Sequence, residues 1–281
     1  MALQLILGNS GAGKSHYIFE KIIRESMEHP EKQYLIVVPE QFTMQTQKDL
    51  VLMHPRRGIM NIDVQSFERL AHRVFEEVGG EHRKILEDTG KNLILRRLAE
   101  EKKDELTLLG GNMKKLGYIS EVKSLISEFT QYRVSSEQLL QMMERNQNNP
   151  QLYFKLKDMK VLYDGFRKYL EGAYLTAEEL LEALEQSVEQ SKTVRGSVLV
   201  LDGYTGFTPV QLNLLKKLLV LAEEVYVTLT IDAGENPFSP GAEYQLFYLT
   251  KKTIAQLMKL AAEVKVPVKK PVLKKDAASC R

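Results

Sequence analysis

Hydrophobic positions along this chain fall into two textures. Residues 3–7, 34–38, 62–64, 197–201 and 225–230 are short apolar runs that do not alternate with polar residues. Such runs predict strands of a parallel sheet buried on both faces. Between and after them, apolar residues recur at three- and four-residue intervals over 14–27, 45–52, 67–78, 209–219 and about 243–262. That spacing predicts amphipathic helices. Strand followed by helix is the alternation of an α/β domain.

From residue 79 to about 196 the texture changes. Helical spacing covers 91–101, 119–132, 136–145, 151–171 and 177–186, and no run there reads as a strand. Ser135 with Gln138, and Thr176 with Glu179, are S/T-x-x-E/Q helix starts. The expected organisation is a parallel-sheet domain of residues 1–80 and 190–265, interrupted by an all-helical insertion, 81–189. Residues 266–281 are basic and broken by prolines. They read as a strand or a linker into a truncated continuation, with a lysine-rich nucleic-acid arm as the other reading.

Composition narrows the classes. The chain has 281 residues, 43% hydrophobic and 27% charged, enough apolar material for a sizeable core. A net charge of +2 gives no global field for a polyanion, so such a site would have to be local. The single cysteine, Cys280, excludes an internal disulfide or a multi-cysteine cluster. His16, His29, His54, His72 and His82 lack metal-ligand spacing. No signal-peptide pattern and no stretch of about 18 apolar residues is present, so the expectation is a cytoplasmic protein without a membrane partner.

The chemistry begins at Gly8-Asn9-Ser10-Gly11-Ala12-Gly13-Lys14-Ser15, which fits G-x-x-x-x-G-K-[ST] without a mismatch. Gly8, Gly11 and Gly13 are expected to allow the backbone angles that turn successive N–H groups, including those of Asn9, Ser10 and Ala12, around phosphate oxygens. The following helix points its positive end at the same anion. Lys14 should reach the β- and γ-phosphates, and the Ser15 hydroxyl should ligate Mg²⁺. The expected ligand is ATP with Mg²⁺.

The partner element should be an apolar strand ending in an acidic residue that holds the metal. Val198-Leu199-Val200-Leu201-Asp202 is the good candidate. Hydrolytic P-loop enzymes often carry glutamate next, whereas here it is Gly203. Loss of a general base removes about 10²–10⁴-fold in rate. A missing second-domain arginine removes about 10³–10⁵ more. The expectation is nucleotide binding with little or no hydrolysis.

Three segments then carry a resemblance. Asp202 and Gln211 have the spacing of the D-E-x-Q-D-x-x-x-x-Q element of superfamily 1 helicases. Val38-Pro39-Glu40-Gln41-Phe42-Thr43 resembles the segment after their second strand that touches single-stranded DNA. Gln65-Ser66-Phe67-Glu68-Arg69-Leu70 is similar to their T-F-H-x-L element, with Glu68 at the histidine. Together they resemble the N-terminal helicase-like region of AddB-type B subunits of the bacterial ATP-dependent helicase–deoxyribonucleases, across the whole chain.

The resemblance implies a RecA-like P-loop sheet with a helical insertion, as in domains 1A and 1B of superfamily 1. It also implies a heterodimer with an A subunit that is the helicase motor, acting on DNA double-strand ends for recombinational repair. The helicase-like region of the AddB-type subunit would lack motor activity and contribute DNA recognition. The family's nuclease domain and cysteine-bound iron–sulfur cluster would lie beyond Arg281. The resemblance adds Gln211 to the nucleotide site and implies DNA contacts from Gln41, Thr43, Ser66 and Phe67. Gly203 and Glu68 both depart from a working motor, and no residues precede the first strand to supply an adenine-reading glutamine.

Other readings stand beside these. Thr208-Pro209-Val210-Gln211 is itself a complete helix-start signature, so Gln211 has a capping role open to it. Thr43 could equally cap a helix, and Phe67 could be core. A DNA-binding module with a vestigial glycine loop, or a small-molecule P-loop kinase, are the alternatives in function. The scattered basic residues of the insertion disfavour the kinase.

Overall fold

The computed structural model describes residues 1–79, 83–232 and 234–275. His82 and Cys280 lie outside these. In chain order the elements are β1 (Leu3–Gly8), α1 (Lys14–Glu28), β2 (Tyr34–Val37), α2 (Thr43–Met53), β3 (Ile62–Gln65) and α3 (Phe67–Val78). There follow β4 (Lys84–Ile85), α4 (Asp88–Glu101), α5 (Leu116–Gln131), α6 (Ser136–Arg145), α7 (Pro150–Leu170), β5 (Tyr174–Leu175) and α8 (Ala177–Ser187). The last are β6 (Val198–Leu201), α9 (Pro209–Leu221), β7 (Glu224–Thr230), α10 (Tyr248–Glu263) and β8 (Val272–Lys274). No helix among the described residues is long and apolar enough to cross a membrane.

The chain divides into two compact units, Met1–Gly80 with Ala183–Arg281, and Glu81–Glu182. The first carries a six-stranded sheet in the order β3-β2-β6-β7-β1-β8, and every pairing in it is parallel. All residues of β2 and β6 are buried, because helices cover both faces of such a sheet. On one face Ile18, Phe19, Ile22 and Ile23 of α1 pack with Ile6, Tyr34, Ile36, Val198, Val200 and Tyr226. Burial pushes the Tyr34 phenol up to about 12. Because the strands are parallel, Gly8, Val37, Gln65, Leu201, Thr230 and Lys274 all end on one edge.

Where the chain leaves this unit and returns, it is tied by one carboxylate. Glu77, near the end of α3, accepts from Ser191 Oγ (2.6 Å), Lys192 N (2.5 Å) and Thr193 N (3.3 Å). Burial works against the charge, but these donors outweigh it and hold the carboxyl below its ordinary range.

The second unit is built mainly of helices around Ile94, Leu95, Leu98, Ile119, Val122, Ile126, Leu139, Leu162, Tyr163 and Phe166. Both helix-start signatures form. Ser135 and Gln138 close a capping box at α6, and Thr176 and Glu179 exchange bonds of 2.9 and 3.2 Å at α8. At the centre is the fully buried carboxylate of Asp158, which accepts the amides of Thr107 (2.9 Å), Leu108 (2.6 Å) and Leu109 (2.8 Å). It satisfies a turn whose Leu109 amide would otherwise be buried without a partner.

Several expectations need correction. The insertion is not all-helical: β4 and β5 pair in parallel, Lys84 with Tyr174 and Ile85 with Leu175. Two residues are too few to display a strand period. The last helix begins at Tyr248, later than the spacing suggested. Just upstream, the Ala242 amide donates to Gln245 Oε1 (3.1 Å) and the Gln245 amide to Ala242 O (2.9 Å), a closed turn in place of the helix's first bonds. Of the two readings of the tail, the strand holds for Val272–Lys274, which pairs with β1.

Candidate nucleotide site

The loop between β1 and α1 turns on glycines and holds the Lys14 ammonium against it. Gly11 and Gly13 take φ of +80° and +75°, angles that favour glycine. Gly13 caps α1 without a side-chain hydrogen bond, and the first turn of α1 carries no acidic residue. The helix therefore meets any ligand with its own backbone and its positive end. The Lys14 ammonium donates to Gly8 O (3.1 Å) and Asn9 O (2.7 Å), inside the loop. Ser10 is exposed; Asn9 and Ala12 are half-buried.

Gly8 is needed for a different reason from the one expected. Its φ is not positive; instead a Cβ there would lie 2.4 Å from Lys274 O on β8. Neighbouring backbone, and not phosphate geometry, excludes a side chain at this position.

Asp202 follows β6, separated from β1 by β7. It is buried, at 7% exposure. Its Oδ1 accepts from Ser15 Oγ at 3.0 Å and from Thr228 Oγ1 at 2.5 Å. The register explains the second bond: Leu201 of β6 pairs with Val227 of β7, so the next residues in the two parallel strands, Asp202 and Thr228, lie side by side. The structure thus joins the glycine loop and the strand-end aspartate, as a shared metal site requires. Among the described residues no group of three or more His, Cys, Asp or Glu is gathered for a metal. Mg²⁺ in a nucleotide site needs fewer, since one or two protein ligands act with phosphates and water.

The loop after Asp202 is locked. Gly203 has φ +80°, with Pro39 and Phe42 beside it. The Tyr204 ring sits 5.5 Å from Phe67 and 5.2 Å from Phe207. Burial pushes the Tyr204 phenol well up, and Glu40 adds to this. At α9, Thr208 Oγ1 accepts the Gln211 amide (3.4 Å), and Gln211 Oε1 accepts the Thr208 amide (3.0 Å). The Gln211 carbonyl oxygen is therefore committed to its own helix start.

The other segments reach the same edge of the sheet. Gln41 is exposed and Phe42 is 47% exposed. Thr43, Ser66 and Phe67 are buried. Thr43 Oγ1 donates to Glu40 O (2.9 Å), and Ser66 caps α3 by accepting from Arg69 N (3.3 Å). Arg69 pairs with Glu40 at 2.9 Å, fastening the two segments together. Sequence reasoning missed Thr228, Tyr204 and this ion pair. Only the aromatic density of Tyr204-Thr205-Gly206-Phe207 could have signalled one of them.

Comparison with known proteins decides the family. The family model described as "ADDB, N-terminal" matches residues 5–280. The chain belongs to the ADDB N-terminal family. It is 45% identical over 273 residues to a protein of Lachnoclostridium phytofermentans named as the B subunit of an ATP-dependent helicase/deoxyribonuclease, covering 97% of this chain and 24% of that protein. Proteins of the same name from Alkaliphilus metalliredigens and Bacillus cereus are 34% and 32% identical, covering 94% and 97% of this chain. They are covered over 23% and 24% of their own lengths. This ADDB N-terminal chain thus spans about a quarter of the curated relatives it matches. The family match takes in the glycine loop and Asp202 alike.

Proposed function

We propose that this chain is the nucleotide-binding, helicase-like part of an AddB-type subunit that works with a motor subunit on DNA ends for recombinational repair. The names of its relatives support the assembly and the substrate class. In this reading the sheet unit is a RecA-like domain holding ATP and Mg²⁺ through residues 8–15 and Asp202, and the helical unit is the counterpart of the insertion in superfamily 1 helicases. The carboxyl ends of the six parallel strands lie on one edge, where ligands of open parallel sheets bind.

One observation carries the proposal: the 3.0 Å bond from Ser15 Oγ to Asp202 Oδ1, between residues far apart in sequence. Bound there, Mg²⁺ would neutralise charge on the β- and γ-phosphates. Ser15 and Asp202 would hold it, the loop amides and Lys14 would grip the phosphates, and Gln211 would sit at the site's margin. With Gly203 in place of a base, the chain would use ATP as a conformational ligand, with turnover below about 1 per second. DNA contact falls to the exposed part of the edge, led by Gln41, because Thr43, Ser66 and Phe67 are buried. Nucleotide titration of the wild type and Lys14→Ala tests the reading. A large loss of affinity in the variant is expected; equal affinity rules the site out.

A further inference from the structure

The glycine loop has a second cation beside it, on the side away from Asp202. In the sheet order, β6 with Asp202 lies two strands from β1 in one direction, while β8 lies next to β1 in the other. Lys274 ends β8 directly opposite Gly8 in the pairing register. The approach is close enough that Gly8 has no room for a Cβ. From there the Lys274 Nζ reaches 4.7 Å from the centroid of the Tyr17 ring. Tyr17 is anchored in the first turn of α1 by its amide, which donates to Gly13 O at 2.9 Å. Lys274 has no carboxylate partner within 4.0 Å among the described residues. Its charge is held in place by a ring, a contact that leaves the ammonium donors able to meet an anion.

Direction follows from the same sheet. The metal end of a bound triphosphate belongs at Asp202, about 10 Å to one side of β1 at ordinary strand spacing. The rest of the ligand must therefore leave across the loop toward β8. We propose that Lys274, carried on the Tyr17 ring, is the second cation of the site and contacts the α-phosphate of a nucleoside di- or triphosphate. The inference rests on the nucleotide reading above and extends it to residues that no glycine-loop motif contains.

Calorimetric titration of the chain with ADP and with ATP·Mg²⁺ tests it, alongside melting without ligand. Lys274→Met is expected to bind both nucleotides about tenfold more weakly, the size of one charge-assisted hydrogen bond. Its ligand-free melting should be unchanged, because the stem still lies on Tyr17. Lys274→Arg, keeping charge and stack, should recover the affinity. In the unsubstituted protein, ADP should shield Lys274 from reductive methylation read by mass spectrometry. Wild-type affinity in Lys274→Met, or labelling of Lys274 that ADP leaves unchanged, overturns the inference while the cradle stands. A wild type that binds nucleotide no better than Lys14→Ala overturns both.

Discussion

Thr228 and Ser15 donate to the same oxygen of Asp202, Oδ1, one from β7 and the other from the start of α1. The aspartate is therefore aimed from two sides before any ligand arrives. In the proposed nucleotide reading, Thr228 positions Asp202 without itself being a ligand of the metal. Thr228→Val is expected to weaken Mg²⁺-dependent nucleotide binding several-fold while leaving magnesium-free ADP binding nearly unchanged. Thr228→Ser should restore the metal dependence. A loss of equal size with and without magnesium would show a general packing defect instead.

Gly203 follows Asp202 directly and carries no side chain that could act as a base, and its backbone conformation matters as well. Its φ of +80° is left-handed, while Pro39 and Phe42 would meet a Cβ there only at ordinary contact distance, so the obstacle is the backbone. A side chain in that conformation costs about 1–2 kcal/mol. Gly203→Glu is therefore expected to lower the melting temperature and to gain no phosphate release. Lys14-dependent turnover appearing in this variant would mean that the loop rearranges readily.

Glu77 gives the fold an acid-sensitive tie. Its carboxyl is held below the ordinary 4.5 by Ser191, Lys192 and Thr193, against the opposing effect of burial. A group whose folded value is depressed adds stability that is complete above the unfolded value and lost as pH falls through the folded one. Wild type should thus be more stable than Glu77→Gln near neutrality, with the gap narrowing below about pH 4.5. Melting curves of the two proteins across roughly pH 3–7 measure it. A gap that does not change with pH would refute the assignment.

Asp158 is the polar centre of the helical unit. Alanine there strands three amides, that of Leu109 buried and those of Thr107 and Leu108 partly so, and roughly 2–4 kcal/mol of destabilisation is expected. Asparagine, which keeps one acceptor oxygen, should lose less. Denaturant unfolding followed by circular dichroism separates the two. An Asp158→Ala variant as stable as wild type would mean that water replaces the carboxylate.

Local signals are legible in this chain, and long-range ones are not. The glycine loop, its flanking strand and helix, and the helix starts at Ser135, Thr176 and Thr208 are each set by neighbours within a few residues. Asp202 stands out because a strand ends on it. Gly8 shows the limit: the motif names it correctly, but its reason lies in β8, at the far end of the chain. Thr228, Asp158 and the β4–β5 pair are silent in sequence because their partners are fixed only by the tertiary fold. Ser66 and Thr43 read as ligand hydroxyls, yet both are satisfied by backbone close by. A hydroxyl cannot announce from sequence which acceptor or donor it will find.

The Glu77 tie has one more consequence. Since it brings residue 77 within hydrogen-bond distance of residues 191–193, the polypeptide departs and re-enters at a single doorway. An excursion rooted this way is a detachable module: a glycine–serine bridge in place of residues 81–182 should leave the sheet intact.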